Sequence, residues 1–190
     1  MKKNKYNLRI PQNLSLIFCE KNSTLTVKGP IKKKSKKLKL KIFIDKLNRI
    51  LSVSPLLISK GSNTEKKHIK ILRKTTLIGI KQLLIESSVL IFRKLKIVGV
   101  GFRADFADTF LKEKVLTLKL GFSHLVYAKV PENLSLNSLT KTKFCIYGSS
   151  YDEISKFAAS IRSKKLPEPY KGKGVLHDDE TIVLKEGKKI

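Results

Sequence analysis

Ile10-Pro11-Gln12-Asn13-Leu14-Ser15-Leu16 returns late in the chain as Val130-Pro131-Glu132-Asn133-Leu134-Ser135-Leu136. Each copy is soon followed by a strand-like run ending in glycine, at residues 24–29 and 144–148. A third run, Leu116-Thr117-Leu118-Lys119, is similar to Leu25-Thr26-Val27-Lys28. Matching order points to duplication rather than chance, and the chain reads as two similar modules.

Outward from the first copy, residues 14–19 and 24–28 read as short antiparallel strands around the polar turn Glu20-Lys21-Asn22-Ser23. Gly29-Pro30 breaks that pattern. A Lys-rich insert follows at residues 32–41, where Leu38, Leu40, Ile42 and Ile44 alternate with polar residues, as in a half-exposed strand. Residues 49–53 form a further strand, ending at Ser54-Pro55. From 66 to 92 the pattern is helical, with Ile69, Leu72, Leu77, Ile80 and Leu84 spaced by three, four or five; the β-branched content of 89–92 leaves a strand end open. The second module opens with a strand at 95–98. It runs through Gly99-Val100-Gly101, which favours a bulge or close backbone approach, into strands at 115–120, 125–130 and 142–147. Ser150 and Glu153 have capping-box spacing, and Ile154, Phe157, Ala158 and Ile161 make one apolar helix face. The periodicity stops after Ser163, so 164–190 reads as an extended tail, ordered mainly by its partner.

Composition bounds the function. Among 190 residues, 41 Lys+Arg against 15 Asp+Glu give a net charge of +26, while 41% hydrophobic residues suffice for a core. Such charge repels itself unless a polyanion neutralises it, so nucleic acid is the expected partner and anionic membrane the weaker one. Cys19 and Cys145 cannot build a disulfide framework and do not resemble paired zinc ligands, so they are expected reduced. The apolar stretch 77–92 is interrupted by Lys81, Gln82, Glu86, Ser87 and Ser88, which argues against a membrane span. Residues 1–9 are basic with no apolar run behind them, so no secretory signal is expected.

Catalytic motifs are weak. Gly99-Val100-Gly101 lacks the third glycine and the following helix of a dinucleotide-binding turn. Lys171-Gly172-Lys173-Gly174 resembles a phosphate loop only superficially, because Val175 stands where Ser or Thr would hold magnesium. His68, His124 and His177 lie in unrelated contexts, without a nucleophile in an elbow. Asp178-Asp179-Glu180 reads as a solvated turn, or as internal relief for nearby lysines, ahead of a metal site. No enzyme, cofactor, metal or small-molecule substrate is expected. The basic segments carry more. Lys32, Lys33, Lys34, Lys36 and Lys37 would line one edge with phosphate contacts, largely independent of sequence. In the tail, Arg162, Lys164 and Lys165 precede Leu166-Pro167-Glu168-Pro169-Tyr170 and Lys171-Gly172-Lys173-Gly174. The prolines stiffen the chain, Tyr170 offers a stacking face, and the glycines let the backbone approach phosphate.

Residues 95–104 (Leu-Lys-Ile-Val-Gly-Val-Gly-Phe-Arg-Ala), 120–124 (Leu-Gly-Phe-Ser-His) and 167–175 (Pro-Glu-Pro-Tyr-Lys-Gly-Lys-Gly-Val) resemble, in order and spacing, the large-subunit ribosomal protein L6 family of bacterial and organellar type. The resemblance is strong from Lys94 onward and looser over 10–29. It departs over 31–91, where the Lys-rich insert replaces a shorter turn. It implies an α+β fold of two duplicated modules, each an antiparallel β-sheet packed with one α-helix, at 1–92 and 93–163, with an extended basic C-terminal tail at 164–190. It further implies a structural, non-catalytic protein that binds large-subunit rRNA beside the sarcin–ricin loop and the docking region of translational GTPases, among neighbouring large-subunit proteins. Carried over by motif, Phe122, Ser123, His124 and residues 164–173 would face rRNA, with Lys94 and Arg103 at the edges. The Lys-, Ile-, Leu- and Asn-rich composition suits an AT-rich genome and a mitochondrial ribosome, ahead of a plastid or bacterial one. The alternative is a peripheral polybasic protein that binds anionic lipid through 32–41, for which Leu38 and Leu40 are few anchors.

Overall fold

The computed structural model describes residues 6–53, 62–108 and 114–187. The chain divides into two compact units, Met1–Leu90 and Ile91–Ile190. The first contains β1 (Asn7–Arg9), β2 (Ser15–Cys19), β3 (Thr24–Lys28), β4 (Lys33–Lys37), β5 (Ile42–Asp45), β6 (Ile50–Val53) and α1 (Asn63–Ser88). The second contains β7 (Ile91–Val98), β8 (Arg103–Asp108), β9 (Lys114–Lys119), β10 (Val126–Lys129), β11 (Leu134–Thr140), β12 (Lys143–Gly148), α2 (Tyr151–Lys164) and β13 (Gly174–His177). All strand pairings are antiparallel, in sheets ordered β1-β6-β5 and β2-β3-β4, then β10-β9-β8 and β11-β12-β7-β13.

The repeated heptapeptide is the step from one sheet to the other. The Ile10 amide donates to the Arg49 carbonyl at 2.8 Å, and the Val130 amide to that of Lys114 at 2.9 Å. The turn then closes identically, Leu14 N–H to Pro11 C=O and Leu134 N–H to Pro131 C=O. Ile10, Leu14, Val130 and Leu134 are all buried. Matching the strands outward from this step pairs β1, β2 and β3 with β10, β11 and β12, and therefore β4, β5 and β6 with β7, β8 and β9. The two units share one architecture, but the chain traverses its strands in rotated order. The helix α1 follows the counterpart of β9, and α2 the counterpart of β3.

Each sheet pair closes over its own core. Leu25, Val27, Leu51, Val53 and Ile80 fill the first, and Leu116, Leu118, Phe144, Ile146, Ile154, Ile161 and Val175 the second. Ile154, Phe157, Ala158 and Ile161 are the buried face of α2, as their spacing requires.

Four local readings change. The capping box is on the other helix: the Glu65 amide donates to Ser62 Oγ at 3.3 Å, the Ser62 amide to Glu65 Oε2 at 3.0 Å, and α1 therefore starts at Asn63. Ser150 occupies the N-cap of α2 without a side-chain bond. The Lys-rich run 33–37 is itself a strand, whereas 38–41 is an irregular link pinned by the Leu38 amide on Ser23 C=O. The pairing of β4 with β3 holds it there, since β4 has no apolar face of its own. Finally, Gly174–His177 is no loose tail but the last strand of the second sheet, paired with 95–98 and burying Val175 and Leu176. Ser54-Pro55 lies outside the described residues.

Candidate nucleic-acid interface

Two sequence blocks meet at the ring of Phe102. A Cβ on Gly99 would stand 2.5 Å from its Cδ2, and one on Gly121 2.6 Å from its Cε1. Both glycine backbones thus lie against the ring, and Gly121, at φ 75°, takes a conformation that side chains disfavour. The turn so formed presents Phe122, Ser123 and His124 to solvent. The rings of Phe122 and His124 stack at 5.6 Å with 17° between planes. Lys165, at the C-cap of α2, places Nζ 4.3 Å from the Phe122 centroid on a cation–π contact. Ammonium, phenyl ring and imidazole therefore gather residues far apart in sequence.

The tail beyond Lys165 is ordered by its own backbone. Val175 N–H donates to Lys165 C=O at 3.0 Å, Glu168 N–H to Lys173 C=O at 2.9 Å, and Gly172 N–H to Glu168 C=O at 2.9 Å. Lys185 N–H adds a bond to Pro169 C=O, also 2.9 Å. A Cβ on Gly174 would lie 2.7 Å from Pro167 Cα, so only glycine lets these two segments touch. The result is a closed loop with Tyr170 54% exposed beside exposed Lys171; Pro167, Gly172 and Lys173 are half-buried, and Lys164 at the helix end is exposed. It is a preformed shape rather than a segment awaiting order from a partner.

Two expected contacts serve the fold. Arg162 holds Glu180 bidentately, Nε to Oε2 at 3.1 Å and Nη2 to Oε1 at 2.6 Å. That guanidinium keeps the Glu180 carboxyl below the usual carboxylate range, and Glu180 in turn raises Arg162. Lys34 points inward to Glu86 at 2.6 Å, where Gln82 Nε2 also donates to Glu86 Oε1 at 3.0 Å. Arg162 clasps the tail and Lys34 neutralises a buried carboxylate, so each has an anionic partner within the fold. The turn after β13 also accepts internally through its backbone, the main-chain carbonyls of Asp178 and Glu180 taking bonds from Lys96 Nζ.

The remaining cations are at the surface. Lys32, Lys33 and Lys37 are exposed on or beside β4, and Lys36 reaches across Gly79 of α1. Lys94 faces outward on β7 with Nζ 5.9 Å from the Phe92 ring. Arg103 is bridged to Asp105 at 2.9 Å, with both side chains half in solvent. Its cross-strand neighbour is exposed Lys119, which the sequence reading missed. The alternation of 115–120 carried that signal, because Leu116, Leu118 and Leu120 inward put Lys119 outward. Among the described residues, no group of three His, Cys, Asp or Glu is placed to hold a metal, and no helix is long and apolar enough to cross a membrane.

Comparison with known proteins falls on the same blocks. The family model "Ribosomal protein L6" matches residues 98–178. Large ribosomal subunit protein uL6 of Mycoplasmoides gallisepticum is 35% identical over 183 residues, covering 95% of this chain and 92% of the relative. The uL6 of Ralstonia pickettii is 32% identical over 182 residues, 96% and 95% of the two chains, and that of Cupriavidus taiwanensis 34% over 165 residues, 87% and 86%. These relatives match both units, and the chain belongs to the ribosomal protein L6 family.

Proposed function

We propose that this protein is a non-catalytic structural constituent of the large ribosomal subunit that binds large-subunit rRNA through its second unit. The carrying observation is the Lys165–Phe122–His124 column beside the closed loop 166–173. A rigid loop with an exposed aromatic ring and several lysines suits folded RNA, where unpaired bases stack on rings and phosphates take the cations. Lys94, Arg103, Phe122, Ser123, His124, Lys164, Lys165, Pro167, Tyr170, Lys171, Gly172, Lys173 and Gly174 form the proposed interface, with Lys32, Lys33, Lys36 and Lys37 as a separate phosphate row. Family resemblance adds the finer location, beside the sarcin–ricin loop and the GTPase docking region. Composition supports a mitochondrial ribosome, while the relatives above are bacterial and support the ribosome without choosing that compartment.

The test is filter binding of the full chain to an rRNA fragment carrying the sarcin–ricin stem, against a large-subunit fragment lacking it. Preferential binding that weakens on Tyr170→Ala with Lys171→Ala is expected; unchanged binding by the double variant at moderate salt would remove the loop from the interface. Co-sedimentation of tagged protein with organellar large subunits tests the compartment.

A further inference from the structure

Helix α1 carries a second apolar row that the described residues of its unit leave exposed. Ile80, Leu83, Leu84 and Ser87 face the core, yet Ile71, Ile78 and Ile85 are 58%, 61% and 41% exposed. Their spacing is seven residues. Seven residues fall about 20° short of two full turns, so the three side chains stay within an arc of about 40°, over a rise of about 21 Å. Four residues before each isoleucine stands an exposed lysine, Lys67, Lys74 and Lys81. These make a parallel cationic row about 40° to one side. On the opposite flank, Thr75 and Gln82 are uncharged. Among the described residues, none between Asn63 and Leu72 is fully buried, and Lys66, Ile69 and Leu72 are half-buried.

We infer that this face of α1 docks an acidic amphipathic helix of a neighbouring protein. Isoleucines repeating every seven residues fill one of the two inward positions per heptad that a helix offers a partner, with uncharged Thr75 and Gln82 at the other. The lysine row on a single flank then selects a partner with Glu or Asp along one side and fixes its direction. A second copy of this chain would bring lysine against lysine. A phosphate backbone would neutralise the lysines and leave the isoleucines wet. The inference does not rest on the proposed rRNA interface of the second unit, and it uses none of the lysines of the β4 phosphate row.

Fluorescence anisotropy of the RNA-free full chain with a synthetic three-heptad peptide, Leu at the seam and Glu along one flank, tests it. Saturable binding is expected. Ile71→Gln with Ile78→Gln and Ile85→Gln should weaken it about a hundredfold at unchanged helicity, because the apolar area is lost. Lys67→Glu with Lys74→Glu and Lys81→Glu should transfer preference to the same peptide with Lys in place of Glu. Equal binding by the glutamine variant, or equal binding of polyglutamate and the amphipathic peptide, would overturn the inference. So would loss of affinity for a large-subunit rRNA fragment in the glutamine variant.

Discussion

Replacing Gly121 by alanine would put a methyl group 2.6 Å from Phe102 Cε1, on a backbone held at φ 75°. We expect a loss of about 2 kcal/mol in chemical denaturation, together with displacement of Phe122 and His124 and weaker rRNA binding. At the buried ion pair, Lys34→Met should cost about 3 kcal/mol by removing the ammonium that faces the buried Glu86 carboxylate, whereas pairing it with Glu86→Leu should recover most of that loss. If Lys34 instead contacted phosphate, the single variant would change RNA affinity and leave stability alone. Glu180 gives a pH dependence. Its carboxyl titrates below its ordinary value in the folded protein, so its stabilising contribution is complete above the ordinary carboxylate range and fades as pH falls through the folded value. Glu180→Gln should lower the neutral-pH unfolding free energy slightly, by about 1 kcal/mol or less, and flatten the acid limb of the stability profile. At this scale the sequence was legible where chemistry is local. The motif residues and the inward positions of α2 could be read directly. Lys34 with Glu86 and Arg162 with Glu180 could not, since each pairing is set by how distant segments pack.

The strand β13 changes what truncation means. It donates Val175 to the core and covers the side of β7 that faces away from β12. Removing residues 166–187 should therefore lower the stability of the second unit by several kcal/mol, about 2 kcal/mol for Val175 alone, and broaden its calorimetric transition. A dispensable tail would leave that transition in place. The reading of elements failed where apolar pattern and strand pairing disagree. In Gly174–His177 the apolar run is too short to announce a strand, and in β4 the lysines conceal one entirely. In both, a neighbouring strand supplies the register. Where pattern and pairing agree, as in β2, β3, β6, β9 and β12, the expected strands lie within a residue or two of the observed ones. The start of α1 escaped notice because its capping box precedes the apolar periodicity by a full turn.

For the whole chain, a net charge of +26 makes RNA affinity a function of salt. With about five phosphates neutralised, the logarithm of the association constant should fall with the logarithm of salt at a slope near −4, measurable by filter binding from low to moderate salt. Lys33→Gln with Lys37→Gln should flatten this slope by about one to two if β4 touches RNA, and leave it unchanged if β4 does not. The two units also treat one vulnerable border differently. β4 and β7 are counterparts, but β7 has β13 along its free side, whereas among the described residues β4 pairs only with β3. A bare strand margin recruits other chains into aggregates, and ammonium groups along it are a recognised deterrent. Lys33 and Lys37 set such charges on β4. Replacing both by uncharged residues should therefore raise the tendency of the RNA-free protein to aggregate, measurable by light scattering, whether or not any nucleotide touches them.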